Sequence, residues 1–229
     1  MEKVSLSELE ALGRLQTCAV ANAIEGFNIR PRNEGFMLPQ VKAMFPDMGN
    51  MVGYAVTAVI AADSPASANM NYSRTNWVDE ILKIPEPRVI VIKDLDYPNV
   101  IGSFWGEVQS NMHRSLGCVG TVTDGGVRDL DEMKELGFFA FATEVLVSHA
   151  YVHLVEANVP VRIGGVRVDP GDILLGDKHG VISVPGRIVP DLPAAVADVE
   201  VSEKEIIDLC RAVDFTPEKL KNLLSQRYG

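Results

Sequence analysis

Between residues 88 and 145 the hydrophobic pattern switches repeatedly between the period of a strand and that of a helix. "RVIVIKDL" (88–95) is a continuous apolar, β-branched run closed by Asp-Leu-Asp-Tyr-Pro. "VIGSFWGE" (100–107) reads as a second strand, "VQSNMHRSLG" (108–117) as a helix ending at Gly117, and "CVGTVTD" (118–124) as a strand. "LDEMKELG" (130–137) is a helix ending at Gly137, and "FFAFATEV" (138–145) is again β-rich. Strands joined by short helices build a parallel sheet with crossovers. An α/β fold is therefore predicted.

The flanks fit around that unit. Ser5 or Ser7 can cap a first helix, with Glu8 or Glu10 in its opening turn; a second helix is predicted over 18–25. Residues 28–50, with Pro31, Pro39 and Pro46, read as a long irregular loop. "GYAVTAVIAA" (53–62) is a buried strand and "NYSRTNWVDEILKI" (71–84) a helix stopping before Pro85. Residues 159–185 carry short β segments between Gly-Gly, Pro-Gly-Asp and Lys-His-Gly turns, the pattern of an antiparallel meander or small barrel-like sheet. Two helices follow Arg187, the last with Thr216 as cap and Pro217 at its first position. This divides the chain into an α/β domain with N-terminal helices, 1–186, and a helical extension, 187–229, that packs on the domain or on a neighbouring subunit.

Composition narrows the function. Of 229 residues, 47% are apolar, enough for a sizeable core, and the net charge of −10 argues against nucleic acid, which demands a basic patch. No apolar stretch is long enough to span a bilayer, and the acidic N-terminus is no secretory signal. Cys18, Cys118 and Cys210 form no framework and read as reduced thiols, so a cytoplasmic protein is expected.

The chemistry-bearing positions fall at the ends of candidate strands. Glu107 follows "GSFWG", and Arg128-Asp129 follows "TVTDGGV", with twenty residues between Glu107 and Arg128. That is one strand–helix–strand unit, which would set Glu107 and Asp129 at the same sheet edge, where ligands of open α/β sheets bind. Two carboxylates and a guanidinium there would suit a hard cation and a carboxylate substrate. The plainer alternative is an ion pair at a helix start, with Asp129 as N-cap and Glu107 on the positive end of its own helix. His149 and His153 stand four apart without the Glu of a zinc helix and read as structural, as does His179 in its turn. Ser115 and Ser148 lack a nucleophile elbow. No Gly-rich loop follows the first strand, which leaves a dinucleotide or methyl-donor cofactor without a binding motif.

Gly106-Glu107, twenty residues, then Arg128-Asp129 resembles the acid-x20-Arg-Asp motif of the RraA-like family, which contains 4-hydroxy-4-methyl-2-oxoglutarate aldolases and regulators of ribonuclease activity. "TCAVANAIE" (17–25), "IPEPRVIVIKDLD" (84–96), "GTVTDGGVRD" (120–129), "VSHAYVH" (147–153), "DPGDILLGDKHGVISVP" (169–185) and "EKEIIDLC" (203–210) are similar to family blocks. The resemblance implies a three-layer β/β/α sandwich of the swivelling phosphohistidine-domain type, assembled as a trimer or hexamer with the site between subunits. It implies Mg²⁺ or Mn²⁺ on Asp129, with Glu107 holding a metal-bound water and Glu203 of a neighbouring subunit reaching the metal waters; Glu200 and Glu205 are rivals for that place. Many members have Asp where this chain has Glu107, one methylene longer. The resemblance also implies that Arg128 takes the carboxylate and carbonyl side of a pyruvoyl group, with the amides of Val108 and Gln109 receiving the carboxylate.

The implied activity is a divalent-metal-dependent carbon–carbon lyase. It would cleave a 4-hydroxy-2-oxo acid such as 4-hydroxy-4-methyl-2-oxoglutarate, or decarboxylate oxaloacetate, through a pyruvate enolate. No lysine is expected in the crevice, which disfavours a Schiff base. The far half of the substrate is expected to meet the 28–50 loop and a neighbouring chain. The alternative within the family is a non-catalytic regulator that docks on a ribonuclease or helicase.

Overall fold

The computed structural model describes residues 4–67 and 72–228. Asn71, first residue of the helix expected over 71–84, and the start of the acidic N-terminus lie outside the described residues. Two helices open the fold, α1 (Leu6–Leu12) and α2 (Thr17–Gly26). The choice of cap for α1 falls on Ser5 and Glu8. The Ser5 hydroxyl accepts from the Glu8 amide and the Glu8 carboxylate accepts from the Ser5 amide, a reciprocal capping box. Then come β1 (Lys42–Ala43), β2 (Met51–Ala61), α3 (Arg74–Leu82), β3 (Arg88–Asp94), α4 (Glu107–Ser115), β4 (Cys118–Thr123) and β5 (Gly126–Val127). After these follow α5 (Leu130–Glu135), β6 (Phe139–Ala142), β7 (Glu144–Val145) and β8 (His153–Ala157). The chain closes with β9 (Val161–Ile163), β10 (Val166–Val168), β11 (Ile173–Asp177), β12 (Gly180–Val184), α6 (Leu192–Arg211) and α7 (Pro217–Tyr228).

The main sheet runs β1-β6-β4-β3-β2-β11-β12, with β8 also on β2. β2, β3, β4 and β6 are parallel to their neighbours in that series, as alternating strands and helices dictate; β11, β12, β8 and β1 pair antiparallel. β3 is central, and Val89, Ile90, Val91 and Ile92 are all fully buried. A strand buried on both faces needs such an unbroken apolar run. Along β3, Ile90 and Ile92 join the larger core with the helices, while Val89 and Val91 join a second core with β9, β10 and Met37. The result is a mixed α/β sandwich: helices, main sheet, and a two-stranded β9–β10 layer.

The expected strand over 100–107 does not form. Residues 101–104 carry no strand, and Trp105 makes only an isolated parallel bridge to Val127. Both edges of β3 are already taken, by β2 and by β4, so the sheet has no vacant place beside it. The apolar residues there serve other ends: Trp105 is buried among aromatics, while Ile101 is exposed. The expected meander over 159–185 also divides. β9–β10 is a separate hairpin, and β11–β12 joins the main sheet at β2. Within the 28–50 loop, β1 pairs with β6. β8 pairs with the far half of β2, at a place where no strand is predicted from the residues.

Candidate functional site

The two halves of the acid-x20-Arg-Asp motif meet, though not by way of two neighbouring strands. The segment before α4 is tied to the turn after β4 through the Trp105–Val127 bridge, with the Arg128 amide donating to the Trp105 carbonyl at 3.2 Å. The buried Ser103 hydroxyl lies 2.6 Å from the Trp105 carbonyl and 2.8 Å from that of Gly126, donating to one at a time. A polar residue inside "GSFWG" was the available signal for this clamp, and the strand reading passed over it.

Asp129 immediately precedes α5 but does not cap it. Its backbone is left-handed (φ 52°, ψ 51°), and its side chain makes no bond to its own helix. Instead its Oδ2 accepts from the Glu107 amide, first residue of α4, at 2.9 Å. Aspartate tolerates this conformation better than most residues, at a cost of about 1 kcal/mol or more. Gly106 is extended (φ −176°), so its lack of a side chain serves space alone: a Cβ there would stand 2.5 Å from Asp129 Oδ2. The Arg128 guanidinium is 3.8 Å from the same oxygen and a third exposed.

These groups border an open cavity of ≈450 Å³. Arg128, Gly106, Val108 and Gln109 line it, with Arg74, Tyr151 and both His149 and His153 on its other sides. The hydrogen-bond ladder of α4 begins with Ser110 donating to Gly106. The amides of Val108 and Gln109 therefore precede it, at the positive end of the helix. Asp129 and Glu107 stand at the rim, touching lining residues without being among them. His149 and His153 are not on a helix; each sets its Nδ1 against a nearby carbonyl, of Ala150 and of Tyr151. Nothing in the sequence marked Arg74, at the start of α3, for this place. The 28–50 loop, expected at the far half of the substrate, contributes no lining residue in this chain, and no lysine lines the cavity among the described residues.

Glu203 lies on α6, which packs on α2, and its carboxylate accepts from the Asn22 amide at 3.1 Å; it is not part of this cavity. Among the described residues no group of three His, Cys, Asp or Glu could hold a metal ion. The Asp129 carboxylate is the acid this chain sets beside Arg128, and Glu107 meets it through its backbone amide. Such a set fits Mg²⁺, which keeps several waters and takes one or two carboxylates, better than the fuller cages of Zn²⁺ or Ca²⁺. Gly106 leaves the Asp129 carboxylate the room it occupies, which keeps that donor at the corner.

Behind the rim sits a closed polar cluster at the ends of β3 and β4. Asp124 accepts from the Asp94 amide at 2.8 Å and from Lys93 at 2.5 Å. Asp94 is fully buried, and its Oδ2 has no hydrogen-bond partner. Burial pushes its carboxyl up to about 6. Burial also raises Asp124, against the pull of the Asp94 amide and Lys93. The three cysteines are free thiols, and burial pushes that of Cys118 up to about 12. No helix among the described residues is long and apolar enough to cross a membrane.

Residues 17–183 match the family model described as "RraA-like: Aldolase/RraA". A 4-hydroxy-4-methyl-2-oxoglutarate aldolase of Thermus thermophilus is 38% identical over 71 residues, 30% of this chain and 43% of that protein. Protein DlpA of Legionella pneumophila is 26% identical over 137 residues, 59% of this chain and 22% of DlpA. The matched stretches span at most 57% of the curated relatives' own lengths. Among solved structures, Streptomyces coelicolor RraAS2, described as an unusual member of the RNase ES inhibitor RraA protein family, superposes with a TM-score of 0.69 at 22% identity. The superposition covers 88% of this chain and 97% of that one.

Proposed function

The chain belongs to the RraA-like family, and from that premise we propose that it is a divalent-metal-dependent carbon–carbon lyase acting on a 2-oxo acid. The observation that carries this reading is the convergence of Arg128, the Asp129 carboxylate and the start of α4 at one open cavity. In the substrate complex, Arg128 takes the pyruvoyl end of a 4-hydroxy-2-oxo acid, its planar fork suiting a carboxylate. The amides of Val108 and Gln109 receive the same carboxylate at the helix start. Asp129, and Glu107 through a water, would hold Mg²⁺ or Mn²⁺, with Glu203 of a neighbouring subunit completing the set. The cation would supply Lewis acidity to the 2-oxo group. As the bond beyond C3 breaks, in retro-aldol cleavage or in decarboxylation of oxaloacetate, negative charge builds on the pyruvate enolate. The Arg128 guanidinium, beside Asp129, stabilises that charge. Among the described residues no lysine is on the cavity wall, which disfavours a Schiff base.

The same reading assigns the sandwich to the swivelling phosphohistidine-domain type. It places the protein in the cytoplasm as a trimer or hexamer, with the α6–α7 extension from 187 onward meeting a neighbouring subunit. Pyruvate release from oxaloacetate and from 4-hydroxy-4-methyl-2-oxoglutarate, with Mg²⁺ and then with EDTA, is the test. Metal-dependent release that Arg128→Ala reduces on the order of 10²–10³-fold is expected. No release from either substrate would sink the reading and turn attention to a docking role on a ribonuclease or helicase.

A further inference from the structure

Beside the cavity that holds Arg128 lies a second, more enclosed one of ≈200 Å³. Trp77, Ile81, Phe104, Met112, Leu116 and Leu154 are among its apolar lining. Arg74, Phe104, Gln109, Val152 and His153 line both cavities, so the two abut. The floor of this annex is polar in composition yet closed to a ligand. Trp77 Nε1 donates to His113 Nε2 at 2.9 Å, which fixes the tautomer whose Nδ1–H donates to the Gln109 carbonyl at 2.7 Å. Both ring nitrogens are thereby used. Burial pushes His113 down to about 4, so the ring is uncharged at neutral pH. The Tyr72 hydroxyl is turned to Glu80. Among the described residues Arg74 is the annex's only Lys or Arg side chain, and it sits on the wall shared with the outer cavity.

We propose, resting on the lyase reading above, that this annex is the second half of the substrate site. It selects 4-hydroxy-2-oxo acids whose distal group is an uncharged hydrocarbon, aryl or branched alkyl, over those that end in a second carboxylate. An apolar cavity of about 150 Å³ accommodates benzene, so the annex has room for a phenyl ring. Each methylene seated there improves binding about fourfold. Away from the wall shared with the outer cavity, where Arg74 and His153 stand, a carboxylate would meet Trp77, Leu116 and the already paired His113, and would lose its hydration without a partner. The pyruvoyl end meanwhile stays in the outer cavity beside Arg128, reached across Phe104 and Gln109.

Two uncleavable probes separate the alternatives: 2-oxo-4-phenylbutanoate and 2-oxoglutarate, titrated into the full chain with Mg²⁺ and followed by tryptophan fluorescence and calorimetry. Cleavage of 4-hydroxy-2-oxo-4-phenylbutanoate is compared with that of 4-hydroxy-4-methyl-2-oxoglutarate. The phenyl probe is expected to bind at least tenfold tighter and to perturb Trp77 emission. The aryl substrate is expected to lead in kcat/KM by a similar factor. Met112→Glu, at a half-exposed position on the annex wall, should cut the aryl-to-dicarboxylate ratio at least fivefold. Deuterium exchange at C3 of pyruvate serves as the control, since it needs only the Arg128 end. Exchange together with a preference for the dicarboxylate would overturn the annex alone and put the distal carboxylate on Arg74. Absence of exchange and of all cleavage would overturn the lyase reading and this inference with it.

Discussion

Asp124 and Asp129 lie in the same connection between β4 and α5, on either side of β5, and end in opposite circumstances. Asp124 is buried, paired with Lys93 and bonded to the Asp94 amide. Asp129 is a third exposed, held in a left-handed backbone, and receives one amide from a different helix. A buried carboxylate with partners is a structural tie whose removal strands the other charge. An exposed carboxylate in a costly backbone conformation, with a glycine opposite to leave it room, is the one that the lyase reading gives to a cation. Position at the end of a parallel strand is common to both, so position alone does not mark a site.

Substitution at the two positions should therefore separate activity from stability. Asp129→Ala is expected to lower kcat by at least about 10²–10³ while circular dichroism and the melting temperature stay close to wild type. Retention of wild-type turnover would refute the metal assignment. Asp124→Ala should do the reverse in kind, costing about 3 kcal/mol in urea unfolding because Lys93 and the Asp94 amide lose their partner. A loss under about 1 kcal/mol would show that water already serves those groups.

The pH dependence sharpens the contrast from the buried side. The folded state holds the Asp94 proton more tightly than the unfolded chain does, so between about pH 4 and 6 its contribution to stability falls as pH rises. His113 is depressed to about 4, so over about pH 4 to 6.5 its contribution rises with pH, and the two oppose each other. Asp94→Asn should leave the rising limb alone and raise stability at pH 7 by about 2 kcal/mol. A stability–pH profile unchanged in that variant would mean Asp94 titrates normally. The smallest effect is conformational: Asp129→Gly and Asp129→Ala both remove the carboxylate, and the glycine variant should be the more stable by about 1 kcal/mol. Equal stability would show that the left-handed backbone is not strained.

The central strands and the helix ends were legible because one signal served each. β3 needs an apolar run for two buried faces, and Gly117 and Gly137 end helices in a left-handed conformation. "VIGSFWGE" misled because an apolar run records burial, not pairing, and β3 had no free edge. The motif spacing pointed to Arg128, Asp129 and the start of α4 as neighbours, yet the reason it offered, adjacent strands, differs from the bridge and serine clamp observed. Arg74 and the annex were invisible, since they depend on α3, α4 and β8 meeting across long sequence separations. Glu203 stays beside Asn22 within this chain, and its expected role concerns a second copy.

The bridge from Trp105 to Val127 also bears on the order in which the molecule assembles. The tie from Glu107 to Asp129 spans 22 residues, whereas Tyr54 on β2 must find Ile173 on β11, 119 positions later. Closing the shorter loop costs less chain entropy, and everything it needs lies on a single crossover. The Arg128–Asp129 corner can therefore take shape while the last third of the chain is still being synthesised, and the far edge of the sheet closes around a corner already made.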